Sequence, residues 1–279
     1  MWELLTLPFV LLALAMALVL AGIHTYLGFH VVGRGVIFVD LCLAQAAAFG
    51  AVVAIRLGIG EAGFFHYQIL LGFALLGALL VTLMRTRDER VPQDAFIGVL
   101  YAAFTVGTIL FLSGQAEGAE ELNHVLSGSL LTVTPGDLLR TSLLYAGVGA
   151  IHFFSRRQLF AITADRRGAE AAGLHTRRWD LLFYASFALV VTSSVQVAGV
   201  MLVFSLLVIP PVIAVLFAEG RGACLATGWV LGLLAALLGV LASLRFDQPV
   251  GPAISAVLVC TLVASGALLW LRSRMRGST

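Results

Sequence analysis

The chain is expected to fold as an all-α polytopic membrane protein of about nine (eight to nine) spans. Three observations carry that expectation. Mean hydropathy is +1.02, and 60% of residues are hydrophobic while only 11% are charged, too few charges to cover a soluble domain of 279 residues. Apolar runs of the length a bilayer requires, about 20 residues, recur along the whole chain. The basic residues, all seventeen of them arginine, fall mostly on alternate loops between those runs.

The runs lie at 4–29, 36–55, 66–84, 95–113, 136–154, 180–197, 200–218, 222–243 and 250–271. Helices are the expected element because hydrocarbon offers the backbone no hydrogen-bond partner. The first run has Glu3 as its only charge and no basic flank, so it reads as a span and not as a signal peptide. The uncharged stretch between Asp180 and Glu219 is too long for one span and predicts two, reversing near Gln196–Gly199. Arg34, Arg85, Arg87, Arg90, Arg156, Arg157, Arg166, Arg167, Arg177, Arg178, Arg221, Arg272, Arg274 and Arg276 share one side; Arg56, Arg140 and Arg245 take the other. The arginine-rich side is expected to be cytoplasmic, with the N-terminus out and the C-terminus in. The net charge of +2 therefore reflects topology, and no nucleic acid is expected as a partner.

The whole chain, 1–279, reads as one transmembrane domain with a cytoplasmic loop at about 155–179. It carries no GxxxxGK[ST] phosphate loop, no HExxH and no GxSxG. An enzyme is not expected, and energy for any driven process would come from a partner or an ion gradient. Cys42, Cys224 and Cys260 form no CxxC pair and read as packing residues. Gly228 and Gly232 form a GxxxG that permits close helix contact.

Four groups of residues invite a functional reading. Asp40 is a carboxylate inside the second run, placed about a turn and a half from its start. It reads either as an interfacial group paired with Arg34 or as a transport residue. Gln45 follows five positions on, about 140° around a helix from Asp40. Pro210 and Pro211 interrupt the seventh run and free backbone carbonyls, either lining a pathway or making a static kink. On the outer side, Glu120 and His124, with Glu117 and Glu121, make a weak cation-attracting cluster or a solvated acidic loop. None of the six histidines forms an HxH or HxxxH pair. In the 155–179 loop, Asp165 suits an N-cap and Gly173 a left-handed C′ position, with Ala169 and Glu170 between them.

The segment DRRGAEAAGLHTRRWDLLFY resembles the cytoplasmic loop of zinc/manganese-type metal-importing ABC permeases. So, in the family's order, do LGFHVVGRGVIFVDLCLAQAAAFGA at 27–51, DAFIGVLYAAFTVGTILFLSG at 94–114, HVLSGSLLTVTPGDLL at 124–139 and AGVMLVFSLLVIPPVIAVLFA at 198–218. The resemblance implies a type II ABC importer-like permease in the inner membrane of a prokaryote, working as a homodimer. It implies cytoplasmic ATPase subunits that hold the ATP, an extracytoplasmic metal-binding protein, and a divalent metal ion as cargo, zinc first, then manganese or iron. No cofactor is expected in this chain. Residues 164–173 would be the coupling helix, with Asp165, Glu170 and Gly173 as the carried-over positions and the small Ala169 between them also assigned to coupling. Many relatives place an Asp and, four residues later, a His in the second span; here Leu41 and Gln45 occupy those positions. The alternative is a proton- or sodium-coupled carrier with Asp40 as the titrating group.

Overall fold

The computed structural model describes residues 7–59, 63–85, 90–112 and 130–276. Eleven α-helices and one short 3₁₀ turn (Leu130–Thr132) make up the regular structure there. The helices are α1 Pro8–Arg34, α2 Val39–Arg56, α3 Phe64–Leu83, α4 Gln93–Leu112, α5 Pro135–Phe154, α6 Arg156–Ala164, α7 Arg166–Ala171, α8 Thr176–Ala198, α9 Val200–Phe217, α10 Arg221–Phe246 and α11 Val250–Arg276. Nine are 18 residues or longer, and eight of those are apolar enough to cross a membrane by length and composition. The ninth, α5, matches the predicted run 136–154 but carries Asp137, Arg140 and His152. Its outer faces are nonetheless apolar, with Leu143, Phe153 and Phe154 exposed.

Local chemistry explains the helix ends. α1 continues through Gly33 and Arg34, five residues beyond the predicted run, and stops at Gly35 (φ +64°). There the Gly35 amide donates to the Val32 carbonyl and the Val36 amide to Val31, both at 3.2 Å, a Schellman closure. α2 consequently starts at Val39, so Asp40 lies in its first turn and not a turn and a half in. No side chain of its own caps α2; the Asp94 carboxylate, from α4, accepts from the Ile37 amide at 3.3 Å. The predicted break between the two runs is a single residue, Gly199 (φ +76°), between α8 and α9.

The chain divides into two compact units. One comprises residues 1–29, 129–138 and 201–279. Within it α10 packs on the first part of α1: Gly228 faces Thr25, Gly232 faces Ala21, and the Trp229 indole donates to the Gly22 carbonyl at 2.9 Å. The GxxxG is therefore an intrachain seam. Pro210 and Pro211 are buried in α9. Pro211 removes the amide that would bond the Leu207 carbonyl, and Gly28 of α1 closes on that same carbonyl.

The other unit comprises residues 30–128 and 139–200. α2, α3, α4 and α8 pack together there around Leu43, Ala46, Ala74, Ala78, Phe104, Phe183, Tyr184 and Phe187. Phe49 of α2 meets Phe73 edge-on at 5.2 Å and Phe111 at 5.4 Å. Arg56, at the far end of α2, donates to the Phe111 carbonyl at 2.9 Å through Nε, closing α2 on the end of α4.

Candidate functional site

α6 and α7 form a compact two-helix element between α5 and α8. α7 is only six residues long, so its ends must be fixed by side chains. Asp165 (φ −153°) sits at the N-cap, and its carboxylate accepts from the Gly168 amide at 3.0 Å. A Cβ at position 168 would press on that carboxylate, which would have to shift. At the other end Gly173 (φ +82°) donates to the Glu170 carbonyl and Leu174 to Ala169, both at 3.0 Å. This is a complete Schellman motif. Ala169 faces inward and is buried, whereas Gly168, Ala171, Ala172 and Gly173 are exposed.

The element is tied to the long helices by a buried ionic network. Asp180 of α8 is 1% exposed and receives three guanidinium groups. Arg34, from the end of α1, bonds it at 3.0 Å and is itself 1% exposed. Arg85, just past α3, lies 3.9 Å away. Arg166, the first residue of α7, makes a short bond to the other oxygen. Arg166 also reaches Glu170 through Nε at 3.2 Å and Thr176 through Nη2 at 3.0 Å. Thr176 donates onward to Glu170 at 2.7 Å. The guanidinium therefore engages three residues at once, a fork geometry that lysine cannot reproduce. Removing one partner from so buried an ion pair costs about 3–5 kcal/mol.

α6 joins the same network through Thr163. Its hydroxyl donates to the Leu159 carbonyl at 2.8 Å, so it accepts from Arg34 Nε at 3.1 Å and from His30 Nδ1 at 2.7 Å. His30 thus carries a proton on Nδ1. The same reasoning applies to His152: Ser186 donates to the Phe183 carbonyl at 2.9 Å, so His152 Nε2 donates to Ser186 at 2.7 Å. His24 Nδ1 bonds the Leu20 carbonyl at 2.8 Å. These histidines serve packing. Gly33 allows the close approach of α1 to α6, because a Cβ there would sit 2.7 Å from the Thr163 methyl. Beside α7 opens a cleft of about 680 Å³, lined by Leu79, Thr82 and Leu83 of α3, by Glu170 and Gly173, and by Leu181 of α8.

The residues singled out from the sequence do not form one cluster. Asp165, Ala169, Glu170 and Gly173 all belong to α7 and its caps. Gln45 donates to the Thr108 hydroxyl of α4 at 3.4 Å. Asp40 is fully buried, and neither of its oxygens has a hydrogen-bond partner among the described residues. The pairing of Arg34 with Asp40 does not occur; Arg34 bonds Asp180 instead. Glu120 and His124 lie outside the described residues, as do Glu117, Glu121 and Arg87. Among the described residues no group of three His, Cys, Asp or Glu side chains is placed to hold a metal ion. Sequence reasoning missed Asp180, which it used only as the boundary of an uncharged run, and missed α6 altogether. The available signal was an acidic residue at the mouth of a span, two positions after Arg178 of the Arg177–Arg178 pair.

The pattern described as the ABC 3 transport family matches residues 6–269, nearly the whole chain. The chain belongs to the ABC 3 transport family. A manganese transport system membrane protein, MntC of Halalkalibacterium halodurans, is 27% identical over 256 residues, 91% of this chain and 85% of that protein. An uncharacterized membrane protein of Cyanophora paradoxa is 30% identical over 191 residues, 68% of this chain and 63% of that protein. Among solved structures, PsaBC from Streptococcus pneumoniae in complex with Fab matches with a TM-score of 0.77 at 22% identity, covering 94% of this chain and 92% of that one. The fold of this ABC 3 chain is thus that of an ABC permease, as the sequence resemblance implied.

Proposed function

We propose that this ABC 3 chain is the permease subunit of an ATP-driven importer of divalent transition-metal ions, and that α7 is the helix on which a separate cytoplasmic ATPase docks. The observation that carries the docking assignment is α7 itself: a six-residue helix capped at both ends, with a bare face of Gly168, Ala171 and Ala172 turned outward. Small exposed residues let a partner surface approach the backbone closely. The family match supplies the transport class. Manganese becomes the first metal to test, because the MntC relative is named for it; zinc and iron follow. The metal is cargo, delivered by an extracytoplasmic binding protein and passed through a homodimer. The loop bearing α7 is cytoplasmic in this reading, which follows the arginine bias. Asp40 is the pathway group of choice, since a buried carboxylate with no hydrogen-bond partner among the described residues is retained at a cost.

The test is Ala171→Trp. This exposed position has room for a ring outside the chain, so folding is expected to survive. Co-purification with the transporter's own ATPase is expected to fail in the variant and succeed in the unaltered chain. Normal ATPase binding by the variant would remove α7 from the docking surface.

A further inference from the structure

The Asp180 carboxylate of α8 joins α7 to the end of α1 and, more loosely, to the end of α3, while Thr176 of α8 holds α7 separately through Arg166 and Glu170. The carboxylate's partners are Arg166, Arg34 and Arg85 in turn. Three cations around one buried anion repel one another and stay together only while the anion is between them. Arg34 has little freedom to leave: it is 1% exposed, it also bonds Thr163 of α6, and it stacks on Phe183 at 4.2 Å. Its second terminal nitrogen, Nη2, is buried without a hydrogen-bond partner among the described residues. Arg166 is held by all three of its nitrogens. A displacement of α7 therefore cannot be absorbed by side-chain rotation. It must either drag α8 and α1 with it or break a charge-assisted bond.

We infer that Asp180 is the positioning residue that transmits movement of α7 to the long helices, with Arg166 as the input arm and Arg34 as the output arm. This rests on the reading of α7 as the ATPase-docking helix. The buried carboxylate acts through the arginines. The docking face of α7 and the Asp180 network occupy opposite sides of the same short helix, so binding and transmission are separable.

The experiment uses Arg166→Gln, which cuts the input arm together with the bonds of Arg166 to Glu170 and Thr176, alongside Asp180→Asn and the double variant. Two readouts are taken. Amide hydrogen exchange of residues 166–174 is measured on the permease alone, where Arg166→Gln is expected to raise the rate about tenfold. Manganese taken up per ATP hydrolysed is measured with the ATPase and binding protein in proteoliposomes, where each single variant is expected to lose about tenfold. ATPase co-purification is expected to persist in both. The double variant is expected to lose less uptake per ATP than the two single losses combined, since both cut the Arg166–Asp180 connection. Unchanged exchange, an unchanged uptake-to-hydrolysis ratio, additive losses, or loss of ATPase binding by Arg166→Gln would each overturn the inference. If the unaltered chain binds no ATPase, the docking reading falls, while the exchange measurement still decides whether Asp180 anchors α7.

Discussion

Replacing Asp40 with alanine is expected to make this protein more stable and to stop it transporting. The carboxyl group is fully buried in the first turn of α2, and neither oxygen meets a donor among the described residues. Leaving a buried polar group unsatisfied costs about 1–3 kcal/mol, and more if it is charged. Alanine removes that cost and adds roughly 0.5 kcal/mol of helix propensity. Against it stand a void of roughly 25 Å³, worth about 0.6 kcal/mol, and the lost attraction of a carboxylate to the helix N-terminus, about 0.3–1 kcal/mol. The gain is the larger side of this balance, leaving a net stabilisation of about 1 kcal/mol. Thermal unfolding of the purified chain in detergent reads it as an upward shift of roughly 2–4 °C. ATP-driven manganese uptake should fall to background in the same variant. A midpoint lowered by several degrees would mean that Asp40 has a stabilising partner and the reasoning about its burial is wrong. Normal uptake would remove Asp40 from the pathway.

Three further changes probe local packing and capping. Gly33→Val should force α1 away from Thr163 and cost about 1–3 kcal/mol, read as a lower unfolding midpoint. Asp165→Ala removes the N-cap bond to Gly168 and should weaken α7 by about 0.5–2 kcal/mol, seen as faster amide exchange confined to 165–169. Trp229→Phe deletes the bond to the Gly22 carbonyl between α10 and α1, for a loss of about 0.5–1.5 kcal/mol with uptake per ATP unchanged.

Much of the fold was legible in the sequence because hydrocarbon imposes a length and a composition on every span. The run 200–218 became α9, and the run 250–271 became the core of α11. Gly199 marked the break between α8 and α9 because the chain there takes a positive φ that favours glycine. Asp165 and Gly173 were legible as caps because capping is a local contract between a side chain and a few backbone groups. The start of α2 was misplaced because a cap supplied from another helix, Asp94, leaves no trace in the neighbouring residues. The hub at Asp180 was illegible for the same reason: Arg34, Arg85 and Arg166 lie 146, 95 and 14 positions away along the chain. Charge bias showed that they share a side, and only folding showed that they share a partner. Ala169 was expected on the docking face from composition, yet the register of α7 turns it inward.

The measurement that tests the central claim most directly is manganese uptake into proteoliposomes holding this chain, its ATPase and its binding protein, with ATP supplied or withheld on the ATPase side. The account predicts uptake that requires ATP hydrolysis and disappears with Ala171→Trp. Uptake that proceeds without ATP and collapses when the proton gradient is dissipated would contradict it, and would restore a gradient-driven carrier as the better description.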